Sequence, residues 1–209
     1  MNTSTCLIPA YDSDVMKCFA MLLEHQKIII LLMLIMPSWI YGYESSNPKI
    51  ISVCYNYSCK QKAQVDLAGS EWAETVDLFS SKTQSPLDER LKISKAIALM
   101  EKLTGRRLGT SNDKAKNSGT GEPGQMDCID ESRNTTAYLK LFEENGWIKW
   151  HQTQDRAVRS PYFFNAHWTA VIKDKKSNQL YAIDSWFREN GKEPVILTLE
   201  EWMARKERP

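Results

Sequence analysis

Two strand-like segments near the C-terminal end constrain the fold of this chain more than any other feature. Residues 166–174, AHWTAVIKD, and residues 178–186, NQLYAIDSW, are rich in β-branched and aromatic side chains and are separated by a turn-like KKS. This pattern predicts an antiparallel hairpin. A turn centred on the two lysines places His167 directly opposite Asp184, with their Cβ atoms about 4.5–5.5 Å apart. A register error of one residue would place Ser185 opposite His167 instead.

A cysteine precedes this hairpin in a context that favours reactivity. Cys128 follows a polar, glycine-rich loop and begins a helix predicted over residues 127–146, for which Asp127 is the expected N-cap. Backbone N–H groups in the first turn of a helix stabilise a thiolate, so Cys128 is a candidate nucleophile; a small apolar filler under the helix is the alternative. A histidine beside a carboxylate is held in one tautomer and stabilised when protonated, as the base of such a nucleophile requires. His167 and Asp184 fit these two roles.

Hydrophobic periodicity predicts the elements before this cysteine. The first is a hairpin over 50–67 around Asn56. The second is a helix over 69–81, capped by Ser70, with Trp72, Val76 and Phe79 in the core. The third is a helix over 85–105 that Ser85 caps and Gly105 ends, with a buried stripe of Leu87, Leu91, Ile97 and Met100. Residues 106–125 are almost free of apolar side chains and are expected to form a functional or disordered loop. Residues 147–152 are expected to form a further strand.

An apolar run near the N-terminus predicts an exported protein. Residues 28–36, IIILLMLIM, follow a lysine and precede a proline, and the small residue Gly42 offers a cleavage point. The run is shorter than the roughly 20 apolar residues that span a bilayer, so we interpret residues 1–42 as a signal peptide; an uncleaved anchor is the alternative. A start at Met21 would give a signal of more usual length, with residues 1–20 as upstream sequence.

Cysteine spacing predicts one disulfide and one free thiol in the exported chain. Cys54 and Cys59 lie in VCYNYSCK, close enough to pair across a tight turn, which leaves Cys128 unpaired. The alternatives are a disulfide between Cys128 and one of the other two, or three buried thiols. The spacing is poor for zinc and no second ligand pair follows, so no metal is expected.

Residues 43–209 are predicted to form a single α+β domain in the periplasm or outside the cell. The chain has 27 basic and 26 acidic residues, which give a formal net charge of +1. No basic run longer than two residues stands apart from acidic ones, which argues against a nucleic-acid partner. No membrane span is expected in this part of the chain, because it has no long apolar run.

The order of the candidate residues resembles that of a known superfamily. Cys128, AHWTAVI and YAIDSW, all within residues 125–186, are similar in order and spacing to the transglutaminase-like branch of the papain-like cysteine enzymes. The resemblance implies a cysteine-bearing helix packed on an antiparallel sheet that carries His167 and Asp184. The two residues before Cys128 depart from the small residue or glycine that the pattern usually has there. The chain is also similar to a set of secreted bacterial proteins of unassigned function that share CYNYSCK, QMDCIDES, HWTAVI and DSWF, and this likeness implies no activity.

Two further polar residues carry weaker expectations. Gln125 resembles the oxyanion-stabilising glutamine of papain-like enzymes, at a shorter spacing from the cysteine, and a loop residue is the slightly favoured interpretation. His151 is expected to be a surface or packing histidine. Its alternative role is that of the base, beside Asp155 or Asp127.

Four residues flanking the hairpin could contribute to a substrate site. Arg156 and Arg159 could grip an acidic substrate group, although a solvated loop is the simpler interpretation. Trp186 and Phe187 could line a cleft or cap the core.

Together these features favour thiol-dependent acyl transfer on an amide, of peptidase, amidase or transglutaminase type. Cys128 would be the nucleophile, His167 the general base and acid, and Asp184 the residue that orients it. The substrate would be a peptide or protein amide, with peptidoglycan peptides favoured by the envelope location, and no cofactor is implied. The alternative is a non-catalytic envelope binding or assembly module that keeps the fold and uses Cys128 structurally.

Overall fold

The structure is a computed structural model that describes residues 49–67, 69–117, 121–160 and 166–205. The predicted signal segment lies outside these residues. Along the chain the helices and strands are β1 (Lys49–Tyr55), β2 (Gln61–Leu67), α1 (Ser70–Ser80), α2 (Pro86–Leu108), α3 (Cys128–Glu144), β3 (His151–Arg159), β4 (His167–Asp174), β5 (Leu180–Asp184), β6 (Val195–Thr198) and α4 (Leu199–Met203).

Helix α3 lies between two antiparallel sheets. The hairpin β1–β2 forms one sheet, and β3, β4, β5 and β6 form the other in that order. Helix α3 contacts β1 on one side and β4 on the other, and Leu139 and Phe142 of this helix are fully buried in the core that the layers share. The predicted α+β class, with an N-terminal hairpin and a cysteine-bearing helix on an antiparallel sheet, is confirmed at this level.

The register of the β4–β5 hairpin differs from the prediction by two residues. Ala170 pairs with Ile183, so His167 is not directly opposite Asp184 and lies diagonally across from it. The connecting turn is longer than predicted because the Asp174 carboxylate accepts backbone hydrogen bonds from the turn, including one from Ser177 N at 3.0 Å. A shift of two residues keeps every side chain on its predicted face, so the two side chains still meet.

Strand β3 begins where the predicted strand over 147–152 was expected to end. It runs from His151 to Arg159, so the predicted solvated loop at 156–159 is part of the sheet. The ladder with β4 is interrupted between Gln154 and Ala157 by one extra residue on β3, which is a β-bulge. As an edge strand, β3 has a polar outer side, and this polarity explains why its sequence did not predict a strand.

Helix α2 buries the predicted face only in part: Ile97 and Met100 are fully buried as predicted, whereas Leu87 and Leu91 are not. Ser85 caps the helix as predicted, but the helix continues beyond Gly105 and ends at Gly109 in the left-handed conformation. Leu87 and Leu91 are 59% and 52% exposed. The inner face at this end instead carries Glu89, which is fully buried.

Helix α1 agrees with the prediction in extent but not in its cap. Gly69, with φ of 66°, occupies the N-cap position, and no side chain caps the helix. Trp72 is buried as predicted, whereas Val76 is 39% exposed.

Candidate active site

The thiol of Cys128 lies in the first turn of α3. Asp127 caps this helix, because one carboxylate oxygen accepts hydrogen bonds from Ile129 N and Asp130 N at 3.0 Å each. The Asp130 side chain completes a capping box by accepting from Asp127 N. This end of the helix is therefore fixed, and it holds a half-buried cysteine that forms no disulfide.

His167 and Asp184 form a buried pair at the adjoining end of the sheet. His167 Nε2 lies 2.7 Å from Asp184 Oδ2, and the side chains are 10% and 1% exposed. The carboxylate accepts from Nε2, which fixes the proton of the neutral ring on that nitrogen. The prediction that these two residues meet on one face is therefore supported by the geometry, although they are diagonal neighbours.

The second ring nitrogen of His167 is the one available to the cysteine. His167 Nδ1 is buried and has no hydrogen-bond partner of ordinary geometry among the described residues. Burial lowers the pKa of His167, but the hydrogen bond to Asp184 and the interaction with Cys128 outweigh it and raise the pKa to about 9. The imidazole is therefore protonated at neutral pH, with its free N–H on the nitrogen next to the thiol.

Aromatic side chains enclose this histidine. The rings of Trp186, Phe187 and Trp202 have centroids 4.6, 5.3 and 5.6 Å from the imidazole. Trp202 Nε1 also donates to Asp184 Oδ2 at 2.7 Å, so the carboxylate is held by two donors. Trp186 and Phe187 thus lie at the candidate site, as one of the two sequence interpretations expected.

Trp202 was missed because nothing in the C-terminal sequence predicts a role in a site. The only local signal is a capping box, in which Thr198 and Glu201 cap α4. This capping box predicts a short helix. Without the β5–β6 pairing, the sequence does not indicate that the tryptophan of this helix reaches Asp184.

His151 lies far from the candidate site. It pairs with Asp174 at one end of the β3–β4 ladder, whereas His167 pairs with Arg159 at the other. Seven residues of β4 separate the two ends, about 23 Å at roughly 3.3 Å per residue. His151 is fully buried and its Nδ1 lies 2.9 Å from Glu89 Oε1. The packing role is therefore confirmed, and the alternative role as the base is wrong.

Gln125 is buried, and its amide holds the preceding loop. Its Oε1 accepts from Lys114 N at 3.0 Å and from Asn117 Nδ2 at 2.6 Å, and its Nε2 donates to Asn112 O at 2.8 Å. These contacts favour the interpretation of Gln125 as a structural loop residue. The same loop contacts the aromatic enclosure, because Trp186 Nε1 donates to Asn117 O at 2.7 Å.

The predicted disulfide between Cys54 and Cys59 is present, and its loop binds the start of α3. Residues 56 to 59 all have positive φ. Two carboxylates of the helix hold this left-handed turn: Ser58 N donates to Asp127 Oδ2 at 2.9 Å, and Cys59 N donates to Asp130 Oδ1 at 2.6 Å. The acidic residues beside Cys128 therefore bind the disulfide loop.

A cluster of buried carboxyl groups lies beneath this end of the helix. Burial raises the pKa of Glu101 to about 7 and that of Asp113 to about 6. Burial together with neighbouring carboxylates raises the pKa of Asp130 to about 6 and that of Glu131 well above its usual value. Glu131 shares a hydrogen bond with Asp113, in which the protonated Glu131 is the donor. At neutral pH Glu131 therefore keeps a proton that the same group would lose in water.

Among the described residues, one group has the spacing of a metal site, and its chemistry does not suit a metal. It consists of Cys54, Cys59 and Asp130. Both sulfurs belong to the disulfide, so neither is available as a thiolate ligand.

Comparisons with known proteins do not identify a relative. No protein-family model, curated protein or solved structure matches the chain. Within the part of the chain that the structure describes, no helix has both the length and the apolar character needed to cross a bilayer. The class that the fold and site define is therefore an α+β protein with a buried His–Asp pair next to a free cysteine.

Proposed function

We propose that this protein catalyses thiol-dependent acyl transfer on an amide, with Cys128, His167 and Asp184 as a catalytic triad. One observation carries the proposal: His167 is bound to Asp184 through Nε2 at 2.7 Å, and among the described residues its buried Nδ1 has no partner of ordinary geometry besides the interaction with the free thiol. A histidine oriented by a carboxylate and paired with a cysteine at a helix N-terminus is the arrangement that activates a thiol nucleophile.

The first half-reaction follows from these positions. The proton of Cys128 resides on His167 Nδ1, and the thiolate attacks the carbonyl carbon of the amide to form a C–S bond. His167 then donates that proton to the leaving nitrogen as the C–N bond breaks, which leaves a thioester and a neutral imidazole. Asp184 remains ionised and stabilises the imidazolium through Nε2.

The second half-reaction restores the enzyme. Neutral His167 takes a proton from an incoming water or amine, whose oxygen or nitrogen attacks the thioester carbon. The C–S bond breaks, the product acid or amide departs, and the imidazolium–thiolate pair returns. Water gives hydrolysis and an amine gives transamidation.

The likeness to the transglutaminase-like branch of the papain-like enzymes supports the same conclusion from chain order. A helix carries the cysteine, β4 carries the histidine and β5 carries the acid, and both strands belong to one antiparallel sheet. Peptide amides of the bacterial envelope, including peptidoglycan peptides, are the proposed substrates. Export through the N-terminal apolar segment would bring the protein to them.

A binding module that uses Cys128 structurally is the alternative. The bond between Cys54 and Cys59 argues against the form of this alternative in which Cys128 bridges to one of them. A free thiol remains, and its reactivity decides between the two functions.

Alkylation of Cys128 by iodoacetamide tests the proposal. A thiol of pKa about 8.5 is only about 1% ionised at pH 6.5. An ion pair with His167 is therefore expected to raise the rate by about tenfold, even though a stabilised thiolate is less nucleophilic. His167→Ala should remove most of this excess, and Asp184→Asn should remove less, because it disturbs the orientation of the base without deleting it.

Two controls make the result specific. His151→Ala, at the far end of the sheet, should leave the rate unchanged as long as circular dichroism shows that the variant is folded. Incubation with a peptide library, acid quenching and intact-mass analysis should reveal an acyl adduct that Cys128→Ala abolishes. If Cys128 alkylates like a peptide thiol in every variant and no adduct forms, the enzyme proposal is wrong and the binding module is favoured.

A further inference from the structure

Arg156 lies beside the candidate nucleophile. Its guanidinium NH1 donates to Ser132 Oγ at 2.9 Å. Ser132 follows Cys128 by four residues on α3, so the two share one face of the helix with Cβ atoms about 5–6 Å apart. Cys128 and Arg156 also interact electrostatically. The guanidinium therefore lies on the side of α3 that bears the thiol, close enough to interact with it electrostatically.

The sheet is built so that Arg156 reaches this position. Arg156 belongs to the β-bulge between Gln154 and Ala157, and bulges redirect side chains and are common next to active sites. The guanidinium carbon lies 4.5 Å above the ring of Trp168, which follows His167 on β4. The ring face and the serine hydroxyl fix the guanidinium on the side of α3 that bears Cys128.

This guanidinium has no carboxylate partner. Among the described residues, neither Arg156 nor the neighbouring Arg133 forms an ion pair. Partial burial and the charge of Arg133 lower the pKa of Arg156. Two unpaired arginines next to each other, one of them partly desolvated, form a site that an anion would stabilise.

We propose that Arg156, assisted by Arg133, binds a carboxylate of the substrate next to the scissile amide. The proposal rests on the proposed function, since it assigns the substrate class of the same site. The substrate is then an acidic peptide, in which the carboxylate comes from either a free C-terminus or an acidic side chain. Arg is suited to this role because its planar donors match a carboxylate in pairs.

Paired alkylating agents test the anion site separately from the nucleophile. Iodoacetate and iodoacetamide deliver the same carbon to Cys128, but only iodoacetate carries a carboxylate. The quantity measured is the iodoacetate-to-iodoacetamide rate ratio, divided by the same ratio for the protein unfolded in urea. If iodoacetate forms an exposed ion pair with Arg156, the normalised ratio should be about five at low salt, which corresponds to the upper range measured for such pairs. The ratio should fall towards one in 1 M NaCl, because the Debye length is then about 3 Å.

Matched variants assign the effect to Arg156. Arg156→Gln should lower the normalised ratio about fivefold, Arg156→Lys should retain most of it, and Arg133→Gln should lower it less. Lys140→Gln is the control, because this exposed lysine lies on α3 about 18 Å from Cys128 at 1.5 Å per residue. Equal losses of rate with both reagents in Arg156→Gln would show an effect on the thiolate alone and overturn the proposal. An equal fall of the ratio in Lys140→Gln would overturn it as well.

Protection experiments distinguish the two sources of the carboxylate. The competitors are N-acetyl-alanyl-alanine, its C-terminal amide, and the amide of N-acetyl-alanyl-glutamate, tested against iodoacetamide alkylation. Protection by the first alone indicates a C-terminal carboxylate, and protection by the third indicates an acidic side chain; equal protection by the uncharged amide contradicts the proposal. Slow, His167-independent alkylation by iodoacetamide contradicts the proposed function instead, so the two failures are separable.

Discussion

Replacing Glu101 by glutamine should stabilise the protein at neutral pH but not at acidic pH. The Glu101 side chain lies on α2, 3% of the residue is exposed, and its Oε1 has no hydrogen-bond partner among the described residues. Burial raises its pKa from 4.5 to about 7. The folded protein therefore keeps a proton on Glu101 over a pH range in which the unfolded chain has lost it.

The sign and size of the effect follow from this difference. A raised pKa contributes stability that is fully present below about pH 4.5 and is lost as the pH rises through 7. At 1.36 kcal/mol per pKa unit, the difference between 4.5 and about 7 corresponds to about 3 kcal/mol. Glutamine keeps the shape and the acceptor for Gly191 N, which lies 3.2 Å from Glu101 Oε2, and it carries no charge at any pH.

Urea unfolding between pH 4 and pH 8 measures the effect. The free energy of unfolding of the wild type should fall as the pH rises, and that of Glu101→Gln should fall by about 3 kcal/mol less. Glu144→Gln, at an exposed position on α3, should follow the wild type throughout. A Glu101→Gln effect that is equal at pH 4 and pH 8 would refute the reasoning, as would a wild type that becomes more stable with rising pH over this range.

Two further predictions concern the disulfide region. Mass mapping of the protein recovered from its host should show an N-terminus near Tyr43, a Cys54–Cys59 bridge and a free Cys128; a disulfide at Cys128 in the folded protein would contradict the proposed role. Asn134→Ala should lower the free energy of unfolding by about 1–3 kcal/mol, because the buried N–H and C=O of Cys54 lose their partner on α3. An unchanged midpoint of urea unfolding would contradict this expectation.

The sequence predicted that His167 and Asp184 meet, but not the register that brings them together. His167 and Asp184 were placed on one face of a hairpin because strand alternation is a local property. Their exact register was not predictable, since it depends on how the Asp174 carboxylate organises the turn. The prediction survived because an error of two residues preserves the face.

Buried polar groups explain most of the wrong predictions. The predicted inner face of helix α2 included Leu87 and Leu91, yet the buried residue at that end of the helix is Glu89, which binds three consecutive backbone N–H groups, those of residues 149–151. Hydrophobic periodicity assigns a carboxylate to the solvent side. The three N–H groups that require this carboxylate come from a segment 60 residues later in the chain, so no local pattern reports them.

Asp130, two residues after Cys128, lies on a different face of α3 from the thiol. Residues four apart share a helix face, so Cys128 and Ser132 form one face of α3, and Asp130 and Asn134 form another. The first face meets Arg156, and the second binds the backbone of the disulfide loop through Cys54 and Cys59. Asp127 and Asp130 thus attach the helix start to the hairpin, while the side of the helix that bears the sulfur meets Arg156 of the four-stranded sheet. The opposite polarity of these two faces explains how a free thiol lies within an acidic sequence at the start of α3.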